Sequence, residues 1–210
     1  IRKFVESGGV FVTTYFSGMA DETDLCFTGH HPLEEVLGII QEEIHAPSKE
    51  FENLFVYAGK EYTAQRMCEI NRAKEGTEVL SVYERDFYAG CPVVTRNQFG
   101  KGEAYYLAAE SDLAFLRAFY GDVFERTGLK NALDTELPYG VTVTERTCAD
   151  QAPADGDAET KKHKGVVFVM NFKNDPVCVE CAGEWTDAET GEVCRDRIEM
   201  KAFGSRVFVS

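Results

Sequence analysis

Apolar residues fall at positions 1, 4 and 5 of the opening segment Ile1-Arg2-Lys3-Phe4-Val5-Glu6-Ser7, the spacing of one helix face. Gly8-Gly9 follows, and glycine accepts the left-handed conformation that ends a helix. The chain thus opens inside a predicted helix with neither a methionine nor a capping residue ahead of it, as expected for a piece of a longer polypeptide. Val10-Phe11-Val12-Thr13-Thr14-Tyr15-Phe16 is β-branched and aromatic, with no polar alternation beyond threonine. Such a run predicts a strand buried on both faces of an α/β sheet. Residues 17–32 read as a long loop carrying Asp21, Glu22, Asp24, His30 and His31. Residues 32–37 suit a short helix with Pro32 in its first turn and Gly38 as its stop.

Strand patterns dominate residues 51–83, with segments at 53–57, 62–70 and 78–83. Residues 92–97 and 102–107 flank Gln98-Phe99-Gly100-Lys101 and predict a hairpin. Ser111-Asp112 caps a helix over 113–127, with apolar positions Leu113, Leu116, Ala118, Phe119, Tyr120, Val123 and Phe124, and Gly128 stops it. The character changes near Leu133, and Glu136-Leu137-Pro138-Tyr139-Gly140 reads as a linker. Strands alone follow, at 141–147, 165–171, 177–182, 193–200 and 206–209. Residues 149–164, without a large apolar side chain, read as a mobile hairpin tip.

Composition narrows the function. Hydrophobic residues make up 44%, enough for a buried core. Against 36 acidic residues stand 22 basic ones, a net charge of -14. With no Lys/Arg cluster to meet phosphates, neither nucleic acid nor an anionic membrane is expected as a partner. No apolar run approaches the ~20 residues of a membrane helix. The seven cysteines are odd in number and follow no disulfide framework, so reduced thiols and a cytoplasmic location are expected.

The run Phe4-Val5-Glu6-Ser7-Gly8-Gly9-Val10-Phe11-Val12-Thr13-Thr14-Tyr15-Phe16-Ser17-Gly18 resembles the helix–strand signature of the trimerisation domain of glycoside hydrolase family 42 β-galactosidases. The resemblance continues through the acidic loop Asp21-Glu22-Thr23-Asp24, through Leu37-Gly38-Ile39, and through the 90–107 hairpin from Gly90-Cys91-Pro92 to Tyr105-Tyr106-Leu107. Trp185-Thr186-Asp187 and Thr190-Gly191-Glu192, with the closing apolar strand, are similar to the small β domain that ends such enzymes. The resemblance implies a class I glutamine amidotransferase-like, flavodoxin-like three-layer α/β sandwich over 1–134, lacking its first strand and part of its first helix. A small antiparallel β domain over 135–210 completes the expectation. It further implies a homotrimer and a catalytic (β/α)8 barrel ahead of this region. That barrel carries both catalytic glutamates, so no catalytic, cofactor-binding or metal-binding residue is expected here. The chain departs from the family pattern at His30-His31, where a Gly/Tyr-rich turn with proline is the norm.

Several residues invite sharper readings. A cysteine hydrolase places its nucleophile on a strained elbow between small residues. Cys26 sits between Leu25 and Phe27, Cys91 precedes Pro92, and Cys68 lies in a charged strand, so structural roles are favoured. His30 and His31 lack a third ligand at metal spacing, and a solvated loop is the plainer reading. Within a strand Cys178 and Cys181 face opposite ways, which disfavours a zinc knuckle. Trp185 and Tyr139 hint at a carbohydrate-binding accessory module, though one tryptophan beside a turn is more often a core cover.

Overall fold

The structure is a computed structural model that describes residues 1–27, 29–48, 50–146 and 165–209. The expected hairpin tip at 149–164 and Cys148 lie outside the described residues. The chain forms two compact units, Ile1–Thr127 and Gly128–Ser210.

The first unit contains three helices and eight strands among its described residues: α1 Arg2–Glu6, β1 Val10–Thr14, α2 Glu34–Leu37, β2 Ile39–His45, β3 Asn53–Tyr57, β4 Lys60–Ala73, β5 Glu78–Val82, β6 Pro92–Phe99, β7 Gly102–Leu107, β8 Ala109–Ser111 and α3 Leu113–Thr127. One sheet runs β1-β7-β6-β5, and a second runs β2-β4-β3 with β8 on β4. Only β1 and β7 pair in parallel; the other pairs are antiparallel. The unit is therefore sheet-rich, and the expected helix–sheet–helix sandwich is not its plain description. Local patterning could not reveal the cause: residues 39–45, which carried no strand reading, pair with β4 in a second antiparallel sheet.

Burial in the first sheet follows strand position rather than apolarity alone. β1 is an edge strand, and Val10, Phe11, Val12 and Thr13 are only half-buried, which corrects the reading of a strand buried on both faces. That role belongs to the interior strand β7. Its Ala104 and Tyr106 pack with Val5 of α1 and Val36 and Leu37 of α2. Tyr105 and Leu107, pointing the other way, pack with Phe115, Phe119 and Val123 of α3 and with Phe55 and Tyr62 of the second sheet. The approach of α1 to β7 depends on Gly102. A Cβ there would lie 2.2 Å from the Gly9 carbonyl oxygen and 2.3 Å from that of Val5.

Strands β2 and β8 and the extension of β4 were not foreseen. β4 changes partner along its length: Lys60–Ala64 pair with β3, while Cys68–Ala73 pair with β2. The bend lies at Arg66, whose φ is +52°. In α3 the 113–127 span is as expected, and the Phe115 N–H donates to Asp112 Oδ1 at 2.8 Å as its cap. Its buried face is Phe115, Phe119 and Val123, whereas Leu113 and Phe124 are exposed.

The second unit is one antiparallel sheet of order β12-β11-β13-β10-β9, built from β9 Val141–Arg146, β10 Val166–Asn171, β11 Val177–Asp187, β12 Val193–Met200 and β13 Ser205–Val209. Its core is Val167, Val169, Val179, Cys181, Ile198 and Phe208, with Leu133 packed alongside. Alternating burial in β10 and at the start of β11 is the two-residue period of a sheet buried on one face.

Candidate assembly surface

The 17–32 loop is a built structure, held at both ends by buried carboxylates. At its start Phe16 has a φ of +66°, unfavourable for a bulky residue. Its N–H donates to Glu69 Oε1 at 2.7 Å, which compensates that conformation. Glu69 is buried on β4; it also accepts from the Tyr106 hydroxyl, which in turn accepts from Gln41 Nε2 at 2.8 Å. Burial, then the Glu69 carboxylate, raise the Tyr106 pKa well above the phenol range, so this hydroxyl remains a donor. Thr13 and Ser17 share a hydroxyl–hydroxyl hydrogen bond beside it.

At the far end Glu34, the first residue of α2, is 3% exposed. It accepts the His31 N–H at 3.2 Å and lies 3.1 Å from His30 Nδ1 and 3.2 Å from Lys74 Nζ. Burial pushes the Glu34 pKa up, but His30, the His31 amide and Lys74 together hold it below the usual glutamate value. His30 projects into solvent, and the His30 ring and the His31 amide tie the loop to Glu34.

Between the anchors the acidic stretch forms a small turn. Asp21 Oδ1 accepts from the Thr23 N–H at 2.8 Å, the Thr23 hydroxyl at 2.7 Å and the Leu25 N–H at 3.2 Å. Those donors lower its pKa, the Thr23 side chain most. Ala20 bridges Cys26 across the turn. The loop presents Phe16 at 48% and Leu25 at 66% exposure. Exposed apolar projections of this kind suit a protein partner.

Among the described cysteines, three have their thiol pKa shifted away from reactivity. Cys68 is buried, and burial raises its pKa; Cys91 and Cys181 shift the same way for the same leading reason. A catalytic thiol needs the opposite shift. Cys68 does lie opposite His45 across the β2–β4 register, and His45 Nδ1 is 3.0 Å from the Tyr88 hydroxyl. This Cys–His juxtaposition was missed because β2 was not foreseen; packed against Phe51, Phe87 and Tyr88, His45 serves the aromatic cluster. Cys178 is exposed and Cys181 buried, on opposite faces of β11 as their spacing predicts. Trp185 packs against the core of the second unit and donates Nε1–H to Ala182 O at 2.9 Å.

Alkylation of the native protein should reflect these environments. Iodoacetamide is expected to modify Cys26 and Cys178 within minutes, while Cys68, Cys181 and Cys194 react only after unfolding. Rapid native labelling of Cys68, read by peptide mass spectrometry, would restore a reactive-thiol reading.

Comparison with known proteins places these features in context. The family model described as Beta-galactosidase trimerisation domain matches residues 1–130, and that described as Beta-galactosidase C-terminal domain matches residues 158–210. Beta-galactosidase BglY of Alicyclobacillus acidocaldarius is 38% identical over 219 aligned positions, covering 99% of this chain and 30% of the relative. Beta-galactosidase Pbg of Clostridium perfringens is 36% identical over 217 positions, covering 99% and 30%. The crystal structure of β-galactosidase from Bacillus circulans sp. alkalophilus superposes with a TM-score of 0.79 at 33% identity, covering 99% of this chain and 30% of that one. The chain thus spans about 30% of the length of these relatives. No described helix is long and apolar enough to cross a membrane.

Proposed function

The chain belongs to the glycoside hydrolase family 42 β-galactosidases, and from that premise we propose that it is the non-catalytic, assembly-forming portion of an enzyme that hydrolyses terminal β-D-galactosides. The trimerisation-domain match over residues 1–130 carries this reading. The two-anchor loop supports it, because a segment that must meet a neighbouring subunit gains from being ordered beforehand. In the whole protein the expected partners are two further copies, forming a homotrimer, and the enzyme's own catalytic (β/α)8 barrel. The 17–32 loop, with Phe16 and Leu25 outward, is the element assigned to the neighbouring active-site wall. We take residues 1–134 as the assembly domain and 135–210 as the C-terminal β domain. The parallel β1–β7 pair, with helices on both faces of its sheet, supports an amidotransferase-like ancestry for the first of these. The free thiols among the described residues favour the cytoplasm.

Retaining glycosidases need two carboxyl groups about 5 Å apart across the scissile bond. Glu69 and Glu34, the glutamates buried among the described residues, are each engaged in holding the loop. This chain alone is therefore expected not to hydrolyse a chromogenic β-galactoside; turnover abolished by mutating one of its own residues would overturn the assignment. A three-fold ring joins unlike patches on successive subunits. With a net charge of -14 its assembly should strengthen as salt screens the repulsion. Sedimentation across a salt series reads this out. A two-fold dimer at every salt concentration, or a trimer that survives removal of residues 1–134, would refute the trimer assignment.

A further inference from the structure

The second unit holds a cleft of about 830 Å³ lined by charged side chains of both signs. One wall is the turn that follows β11. Asp187 is buried there; its Oδ1 accepts the Glu189 and Thr190 N–H groups at 3.0 and 2.9 Å, and its own N–H donates to Glu192 O at 2.8 Å. These bonds fix the backbone that carries Glu189 and Glu192, both of which line the cleft. Another wall is the end of β12, where exposed Arg197, Glu199 and Lys201 alternate with buried Ile198 and Met200. Arg206 of β13 completes the lining. Its Nε donates to Asp187 Oδ2 and its Nη2 to Glu192 Oε2, both at 2.7 Å, and the guanidinium lies 5.1 Å from the Phe208 ring centre. The fork is thus held along one edge, while Nη1 has no hydrogen-bond partner among the described residues.

We propose that this cleft binds a short, neutral oligosaccharide of the β-galactoside class. The galactoside part rests on the function proposed above; the neutral, polyhydroxylated part rests on the cleft itself. A hydroxyl group both donates and accepts hydrogen bonds, so adjacent hydroxyls can meet a carboxylate and a guanidinium together. An anion is disfavoured: Asp187, Glu189, Glu192 and Glu199 set four negative charges against the three positive ones of Arg197, Lys201 and Arg206, and the whole chain carries -14. A bare cation is disfavoured because Asp187 is already committed to Arg206 and two amides. The volume falls within the range of about 300–1,000 Å³ that small-molecule sites occupy. The ordered turn and the anchored guanidinium lower the cost of arranging these groups around a ligand. No aromatic ring lines the cleft, so hydrogen bonds hold the sugar and the affinity is weak, in the millimolar range.

The test is a nuclear magnetic resonance titration of the full 210-residue chain, isotope-labelled and assigned, with β-linked galactobiose. Saturable backbone shifts at the residues lining the cleft are expected. An Arg197→Ala/Lys201→Ala variant removes two exposed side chains and leaves the core of the unit intact; it should weaken binding at least about tenfold. Arg206→Lys keeps a positive charge beside Asp187 but loses the planar fork, and should weaken binding to a similar degree while amide shifts away from the cleft stay unchanged. Shifts that never saturate, or that saturate elsewhere on the chain, overturn the proposal. So does equal affinity in the wild type and both variants. Tighter binding of inorganic phosphate at the same residues marks an anion site and overturns it as well, and maltose bound as tightly as galactobiose overturns the galactoside assignment. Failure here is separable from failure of the proposed function: a chain that binds no galactobiose can still pass the sedimentation test, and one that never trimerises can still bind the sugar.

Discussion

Phe119→Ala should destabilise the first unit by about 4 kcal/mol, the cost of emptying a fully buried aromatic site that cannot collapse. Phe119 is 0% exposed, and its ring centre lies 5.3 Å from Tyr120, 5.7 Å from Tyr105, 5.9 Å from Phe115 and 6.0 Å from Tyr57. It is the point at which α3 meets both the interior strand β7 and the second sheet. The loss therefore combines the transfer term with several edge-to-face contacts, each worth about 1 kcal/mol. Phe119→Leu keeps most of the volume and should cost roughly 1–1.5 kcal/mol. Phe124→Ala, five residues along the same helix but 49% exposed, should cost less than about 1 kcal/mol. Urea unfolding followed by circular dichroism ranks the three. Equal losses at Phe119 and Phe124 would mean that α3 docks through a different face.

In the second unit the comparable effect belongs to Asp187→Ala, at about 3–4 kcal/mol. Asp187 is 4% exposed and accepts from Arg206 Nε at 2.7 Å, the Thr190 N–H at 2.9 Å and the Glu189 N–H at 3.0 Å. Burial alone would raise its pKa; Arg206 and the two amides reverse that and bring it from 3.8 to about 2. A folded pKa below the unfolded one means the carboxylate's stabilisation is fully present above the ordinary aspartate value and is lost as pH falls towards about 2. The shift itself corresponds to about 2 kcal/mol, and the stranded Arg206 and unpaired amides supply the rest. The gap between wild type and variant should accordingly be constant near neutrality and close on acidification. Thermal unfolding at a series of pH values tests it, with a neutral-pH difference on the order of 15 °C. A gap that stays the same down to pH about 2 would show that the ion pair is not its source.

What sequence could and could not give is visible element by element. The helix over 113–127, the strand over 53–57 and the 92–107 hairpin were legible because each is written in local terms: a capping aspartate, a two-residue period, glycine at a tight turn. The family was legible for the same reason, in contiguous runs. The opposed faces of Cys178 and Cys181 followed from the pleat alone. Missed elements depended on distant partners. Strand β2 carries Gln41, Glu42 and Glu43 and acquires its conformation by pairing with β4, so its own pattern is weak.

The candidate site divides in the same way. Sequence marked the 17–32 loop by its acidic stretch and its two histidines, but nothing local says that Glu69, 53 residues beyond Phe16, closes its start. By itself, then, the sequence determined the 113–127 helix, the 53–57 strand, the 92–107 hairpin and the family, since these depend on neighbours along the chain. Only the tertiary structure decided that β7 rather than β1 is the doubly buried strand, that α3 buries Phe115 and not Leu113, and that Glu34 and Glu69 anchor the loop. Burial and buried hydrogen bonding are properties of whichever surfaces meet, and those surfaces come from residues far apart in the chain.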